Sequence, residues 1–467
     1  SSRCGRGFVL PADWHNLKFQ ACSIAMKQST MQPFGVVAAC ALVLAFPVAH
    51  AARFRGVTKG HGGAVDHVVD VLVRGERTKR VHIRKPVTDT REYVHTTFDT
   101  GLKVLAVRDP EAQKTGFAVA VEAGSLEDPS DFQGLAHFCE HMLFLGSKKY
   151  PETDEFSKHL ALYGGTHNAY TSAEETVYYN EIGNDGIEKG LDIFAQFFIS
   201  PSFKAEMVDK EIHAVDSEHK KNQPDMTRRL WHLWHSKANP ENPMHQFATG
   251  DLQTLKLRPE AQNKSLVQAL REFHRRNYCP SRLHLVLVGN SSTDDLLSLG
   301  HRHFDALAEV SKDSQCTPRP VYFLDHPPFS KKLQNIGRKF TVGTHGTPEM
   351  WVVLPTLPLR PHYKELPEAY IWNALAHYGP GSLKALLLRE DLSQSYSYTA
   401  ESTVAGSSIM LMFSLTERGA KNTDLVLEYL FAYLNDVRAA GVDNKLIGSL
   451  QQLRLVNFDY REKHSSE

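Results

Sequence analysis

The sequence predicts an α+β fold made of two homologous units, each a mixed sheet packed with helices. Three observations lead there. Short β-branched runs give way to longer stretches whose apolar residues recur at helical spacing. A loop rich in proline and charge, from about Lys312 to Pro328, divides the chain, and the element order before it is loosely echoed after it. The 467 residues, 42% hydrophobic and 23% charged, are enough for two or three domains with cores of their own.

The N-terminal fifth reads as accessory sequence. Residues 1–25 precede Met26 and are taken as upstream or non-native. From Met26 a short polar stretch with Lys27, an apolar run from Pro33 to Val48 and the small-x-small pattern Ala49-His50-Ala51 read as a secretory signal peptide over residues 26–51. The alternative is an uncleaved anchor, but the run is shorter than the roughly 20 residues a bilayer span needs, and Pro47 interrupts it. Residues 52–91 are rich in Gly, Arg and Lys with little periodicity and read as linker or propeptide, so order is expected from Glu92.

The first unit is expected over residues 92–312. Residues 102–107 and 115–122 are β-type runs, fitting two paired strands with a turn at Asp109-Pro110. Asp131 is the expected cap of a helix that runs through residues 137–144 and stops at Gly146. A second helix begins at Thr153, has Glu155 in its first turn, and ends at Gly164-Gly165. Residues 166–182, rich in Thr and Tyr and interrupted by Ala173-Glu174-Glu175, read as a strand or hairpin. Helices follow at about 187–198, where Ile187, Leu191, Phe194, Phe197 and Phe198 share a core face, and at 204–222. Residues 226–278 are mainly helical, and 283–289 form a short apolar strand. The second unit, residues 313–467, begins with strands at 339–342 and 350–354. A helix at 368–377, a strand at 408–415 and a helix at 423–439 complete it.

Charge and cysteine usage exclude several function classes. The formal net charge is zero, so no global basic field argues for nucleic acid. Six scattered cysteines without CxxC spacing argue against a disulfide scaffold and a cysteine-based zinc finger.

The chemistry concentrates in His137-Phe138-Cys139-Glu140-His141. Histidines at i and i+4 share one helical face and can reach one metal, with Glu140 on a neighbouring arc. The order His-x-x-Glu-His is that of the inverzincins, zinc hydrolases in which the glutamate serves as base. Cys139 reads either as a thiol that sensitises the site or as a small buried hydrophobe. A catalytic zinc usually takes three protein ligands and a water, so a third must come from elsewhere. Glu211 and Glu218 lie seven residues apart on one face of the helix at 204–222. One suits the metal and the other a supporting role behind a histidine, and two solvated surface acids explain the pair equally well.

The run His137 to Gly146, followed by Lys148-Lys149-Tyr150-Pro151, resembles the active-site segment of the insulysin branch of the pitrilysin family of zinc metallopeptidases. So do Glu211-Ile212-His213-Ala214-Val215-Asp216-Ser217-Glu218-His219 and, between the two, Ala195-Gln196-Phe197-Phe198. The resemblance covers about residues 90–467 and implies homologous domains of the pitrilysin and mitochondrial processing peptidase type, the second truncated. It implies one zinc per chain on His137, His141 and Glu218, support from Glu211, and Glu140 as general base. Asn168-Ala169-Tyr170 resembles the family's substrate-pairing edge strand, although a turn residue and packing would explain Asn168 and Tyr170. Phe144 and Trp231 are placed near side-chain pockets, with core packing the safer reading. His377, Gly379 and Gly381, in His377-Tyr378-Gly379-Pro380-Gly381-Ser382, resemble the part that anchors a substrate N-terminus, although a helix-ending turn suffices for them.

Family members run to about twice this length, so the implied partners are peptide substrates and the C-terminal half of the same enzyme, with a homodimer left open. The chain alone is then expected to bind zinc but cleave poorly, and to expose apolar surface where the second domain is cut. The leading function is a zinc endopeptidase for small peptides. The alternatives are a mitochondrial presequence-processing subunit and a non-catalytic peptide-binding scaffold. Secretion is the expected route, supported weakly by the sequons Asn263-Lys264-Ser265 and Asn290-Ser291-Ser292, with mitochondrial and cytosolic destinations as lesser alternatives.

Overall fold

The computed structural model describes residues 22–27, 65–73, 76–313, 316, 325–342 and 346–461. Most of the segment read as a signal peptide lies outside them. The chain divides into two compact units. The larger takes residues 65–236, 246–316 and the C-terminal helix Asn444–Asp459; the smaller takes 22–27, 237–245 and 325–443. The units change over near residue 320, where a division after residue 312 was expected, and the C-terminal helix belongs to the larger unit. Asp459 accepts bonds from the Arg84 guanidinium and the Val87 amide, which ties it to the start of the larger unit.

Thirteen strands are numbered in chain order: β1 Cys22–Lys27, β2 Val65–Val73, β3 Glu76–Lys85, β4 Glu92–Thr97, β5 Lys103–Arg108, β6 Lys114–Val121, β7 Thr166–Thr171, β8 Thr176–Gly183, β9 Leu283–Gly289, β10 Lys339–Thr341, β11 Pro348–Thr356, β12 Ser393–Ser402 and β13 Ser407–Leu415. The larger unit holds an eight-stranded mixed sheet in the order β3-β2-β4-β5-β9-β6-β8-β7. Two expectations change here. The stretch read as linker carries the antiparallel pair β2 and β3, because its valines favour extended backbone more than its glycines and charges oppose it. Strands β5 and β6 are not partners: β9 lies between them, parallel to β5 and antiparallel to β6. Five of the seven residues of β9 are fully buried, which suits it to a central position that a short β5–β6 turn cannot reveal.

One face of this sheet forms the core. Along β6 burial alternates so that Thr115, Phe117, Val119 and Val121 point inward, and β8 answers with Thr176, Tyr178, Asn180 and Ile182. Helices Leu135–Leu143 and Ile187–Ile199 supply Phe138, Met142, Leu143, Leu191, Phe194, Phe197 and Phe198 to the same core. Strand β7 is an edge strand, paired with β8 alone among the described residues. A disulfide joins Cys279 to Cys316, with Cα atoms 6.1 Å apart.

The smaller unit has a five-stranded sheet, β10-β1-β11-β13-β12. Here β1, read from sequence as upstream residues and the first part of the signal peptide, pairs with β11 and β10. Helices Pro367–Ala376, Leu383–Arg389 and Thr423–Ala440 pack with this sheet around Leu375, Leu387, Phe413, Val426 and Leu430. Strands followed by helices in both units bear out the α+β expectation.

Candidate metal centre

The helix Leu135–Leu143 presents two faces. Ala136, Phe138, Cys139, Met142 and Leu143 are buried in the core, while His137 and His141 look outward one turn apart. Its start is not capped by Asp131, which instead pairs with Lys264. The N-cap is Gly134, in the left-handed region at φ 89°, and the buried carboxylate of Asp128 accepts from the amides of Gly134 and Ala136, each at 2.7 Å. Only glycine serves at 134, because a Cβ there would lie 2.2 Å from the Gly250 Cα.

The helix Ala205–Asn222 brings Glu211 and Glu218 to the outward face. The Nε2 atoms of His137 and His141 are 3.3 Å apart, and each lies 3.6 Å from Glu218 Oε2. Among the described residues this is the group of three or more His, Cys, Asp or Glu whose donor atoms converge on one point. Ligand atoms about 2.0–2.1 Å from a tetrahedral metal lie roughly 3.3–3.4 Å apart, so the spacing fits one small cation. The tautomers fit as well. His137 Nδ1 donates to the Thr249 carbonyl and His141 Nδ1 to Glu211 Oε1, both at 2.7 Å, which leaves each neutral ring its Nε2 lone pair.

Electrostatics favour positive charge at this point. Burial works against charge on His141, but the hydrogen bond to Glu211 and the nearby Glu218 carboxylate outweigh it and raise its pKa to about 9. His141, 3.6 Å away, in turn holds Glu218 down at about 2, despite some burial. Glu218 is the most exposed of the three at 37%, so the centre opens to solvent on its side. Glu140, only 7% exposed, accepts a hydrogen bond from Thr171 Oγ1 at 2.5 Å. Burial raises its pKa, the direction required of a carboxylate that exchanges protons near neutrality. Cys139 faces away into the core, fully buried, and burial pushes its thiol up. That is the hydrophobe of the two readings.

The remaining candidates are dispersed. Asn168, Ala169 and Tyr170 lie on edge strand β7, whose last residue reaches Glu140. Phe144 makes tilted contacts with Phe156, His167 and Tyr178 and an edge-on contact with Phe197, so core packing accounts for it. Trp231 is half-buried against His235 on helix Met226–His235. His377, Gly379 and Gly381 belong to the smaller unit, in a turn between two helices whose second is capped by Ser382. Sequence reasoning missed Thr171, Thr249 and Asp128. Strand alternation places Thr171 on the face of Ala169, a usable signal; a backbone carbonyl such as that of Thr249 leaves none.

The insulinase family model, peptidase M16, matches residues 103–247, and the peptidase M16 inactive-domain model matches residues 265–453. The chain belongs to the peptidase M16 family. This M16 chain is 34% identical to the insulin-degrading enzyme of Homo sapiens over 383 residues, which cover 82% of it and 37% of the human chain. It is equally similar, at 34% over 387 residues, to the peroxisomal insulin-degrading enzyme-like 1 of Arabidopsis thaliana, covering 82% of this chain and 39% of that one. The crystal structure of pitrilysin superposes with a TM-score of 0.73 at 27% identity, covering 82% of this chain and 40% of pitrilysin. The M16 chain therefore spans about two fifths of the length of these relatives.

Proposed function

We propose that the chain is the metal-bearing part of a zinc endopeptidase that hydrolyses small peptides bound in extended form. The observation that carries this reading is the convergence of His137 Nε2, His141 Nε2 and Glu218 Oε2 within 3.6 Å of one another, beside a buried carboxylate. In this reading His137, His141 and Glu218 hold one zinc, and Glu211 fixes the ring of His141. When bound, zinc polarises a peptide carbonyl and acidifies water toward neutral pH. Glu140 takes the proton of the attacking water on its carboxylate and passes it to the leaving nitrogen. Asn168, Ala169 and Tyr170 lie on β7, which among the described residues ends the sheet, and would present its outer edge to the backbone of an extended peptide, a mode that reads conformation more than sequence.

His377, Gly379 and Gly381 are kept as the site for a substrate N-terminus, and the C-terminal half of the longer relatives as the partner that completes catalysis. A secretory route belongs to the same proposal. It is supported by the Cys279–Cys316 disulfide and by the exposure of Asn263 and Asn290, each heading a sequon.

Glu140→Gln tests the mechanism. The variant is expected to retain one zinc per chain and to lose peptide cleavage by at least 100-fold, to the level of metal-free protein. Turnover equal to the wild type would overturn the assignment.

A further inference from the structure

The Thr171 hydroxyl lies 2.5 Å from Glu140 Oε2, a contact that metal binding and proton transfer do not by themselves require. Thr171 is the last residue of β7, the edge strand, and its neighbours hold it firmly. It pairs with Thr176 in register. The turn that follows is closed by a bond from the Ser172 amide to the Glu175 carbonyl, and the Ser172 hydroxyl accepts from the amides of Glu174 and Glu175. The chain at Ser125 and Leu126 donates two further amide bonds to the carbonyls of Ser172 and Ala173. The hydroxyl thus projects from a fixed backbone, whereas Glu140 is a flexible side chain on the facing helix.

A carboxylate acting as base must hold one oxygen toward the water and keep the other from competing for it. A hydroxyl that donates to Oε2 does this: it selects one rotamer of Glu140 and leaves Oε1 unengaged by it. The same strand has a second part in the proposed function. Ala169 and Thr171 project to the helix side of the sheet, and the outer edge of β7, the last strand of the sheet among the described residues, is where an extended peptide would pair. Strand position and base orientation are therefore set by a single element.

We propose that Thr171 is a positioning residue that aims Glu140 through its hydroxyl, linking the substrate-pairing edge to the proton-transfer group. The inference rests on the assignment of Glu140 as base, and the test separates the two. Thr171→Val removes the hydroxyl at nearly constant shape, and Thr171→Ser retains it. With a fluorogenic peptide, Thr171→Val is expected to lower kcat about 10- to 100-fold with KM and zinc content unchanged, the range for removing a group that orients a metal-site residue. Thr171→Ser should recover to within about threefold of the wild type. Crystal structures of the three zinc-loaded proteins supply a readout independent of turnover: one ordered Glu140 rotamer in the wild type and Thr171→Ser, and more than one in Thr171→Val. A single Glu140 rotamer in all three structures overturns the inference, as does a kcat for Thr171→Val equal to that of the wild type. Full turnover by Glu140→Gln overturns the base assignment instead, whatever the Thr171 variants do.

Discussion

Each histidine of the centre has one nitrogen committed to a protein acceptor, so ligation depends on groups behind the ligands. Glu211 is expected to act through this route. Glu211→Gln weakens the hold on His141 Nδ1 and should lower zinc affinity about 10- to 100-fold in chelator competition, without changing stoichiometry at saturating metal. Affinity unchanged by the substitution would place Glu211 among ordinary surface acids. The residue scale also shows what sequence can disclose. His137, Glu140 and His141 were legible because a five-residue spacing maps directly onto one helical turn. Glu218 was legible only as one of two equivalent acids until the resemblance to a family separated them. Thr249 acts through its carbonyl, which any residue carries.

At the level of elements, the motif helix and strand β4 each depend on one carboxylate. Asp128→Ala would leave the amides of Gly134 and Ala136 buried without acceptors, at a cost of about 1–3 kcal/mol each. Urea unfolding is expected to register a loss of about 2–6 kcal/mol for the two amides together, and a loss below about 0.5 kcal/mol, roughly that of an ordinary surface change, would count against this cap. Asp89 governs the approach to β4. Burial opposes its charge, but bonds from the Arg91 guanidinium and amide and from the Tyr93 hydroxyl more than offset this and hold the carboxyl at about 2 rather than 3.8. A lowered folded-state value contributes stability that is present above pH 3.8 and is lost as pH falls toward 2. The stability gap between the wild type and Asp89→Asn should therefore narrow across that window in acid titrations of unfolding; a constant gap would contradict the assignment. Most helices were readable from apolar periodicity, which is local. The β5-β9-β6 order was not, because strand partners are chosen by long-range burial that no window of sequence contains.

For the whole molecule, the candidate site lies within one of the two units. His137, His141, Glu218, Glu211 and Glu140 all lie in the larger unit, whereas the longer relatives have more than twice this length. The chain alone is expected to bind one zinc and cleave slowly, and addition of the C-terminal half in trans should raise turnover at least tenfold. Equal rates with and without that half would show that it contributes nothing to the transition state. The secretory proposal predicts a mass loss on enzymatic removal of N-linked glycans from protein made in secreting cells, abolished by combined Asn263→Gln and Asn290→Gln. An unshifted mass would remove that support. The duplicated α+β architecture was legible in the order of elements, while the return of helix Asn444–Asp459 to the larger unit had no signature in its sequence. The central claim is that His137, His141 and Glu218 form a complete zinc site within this chain. X-ray absorption at the zinc edge, on the purified wild type and Glu218→Gln, tests it most directly. One zinc bound by two imidazoles and oxygen, with no sulfur, and a marked loss of metal in the variant are expected; sulfur ligation, or full zinc retention by Glu218→Gln, would overturn this ligand set.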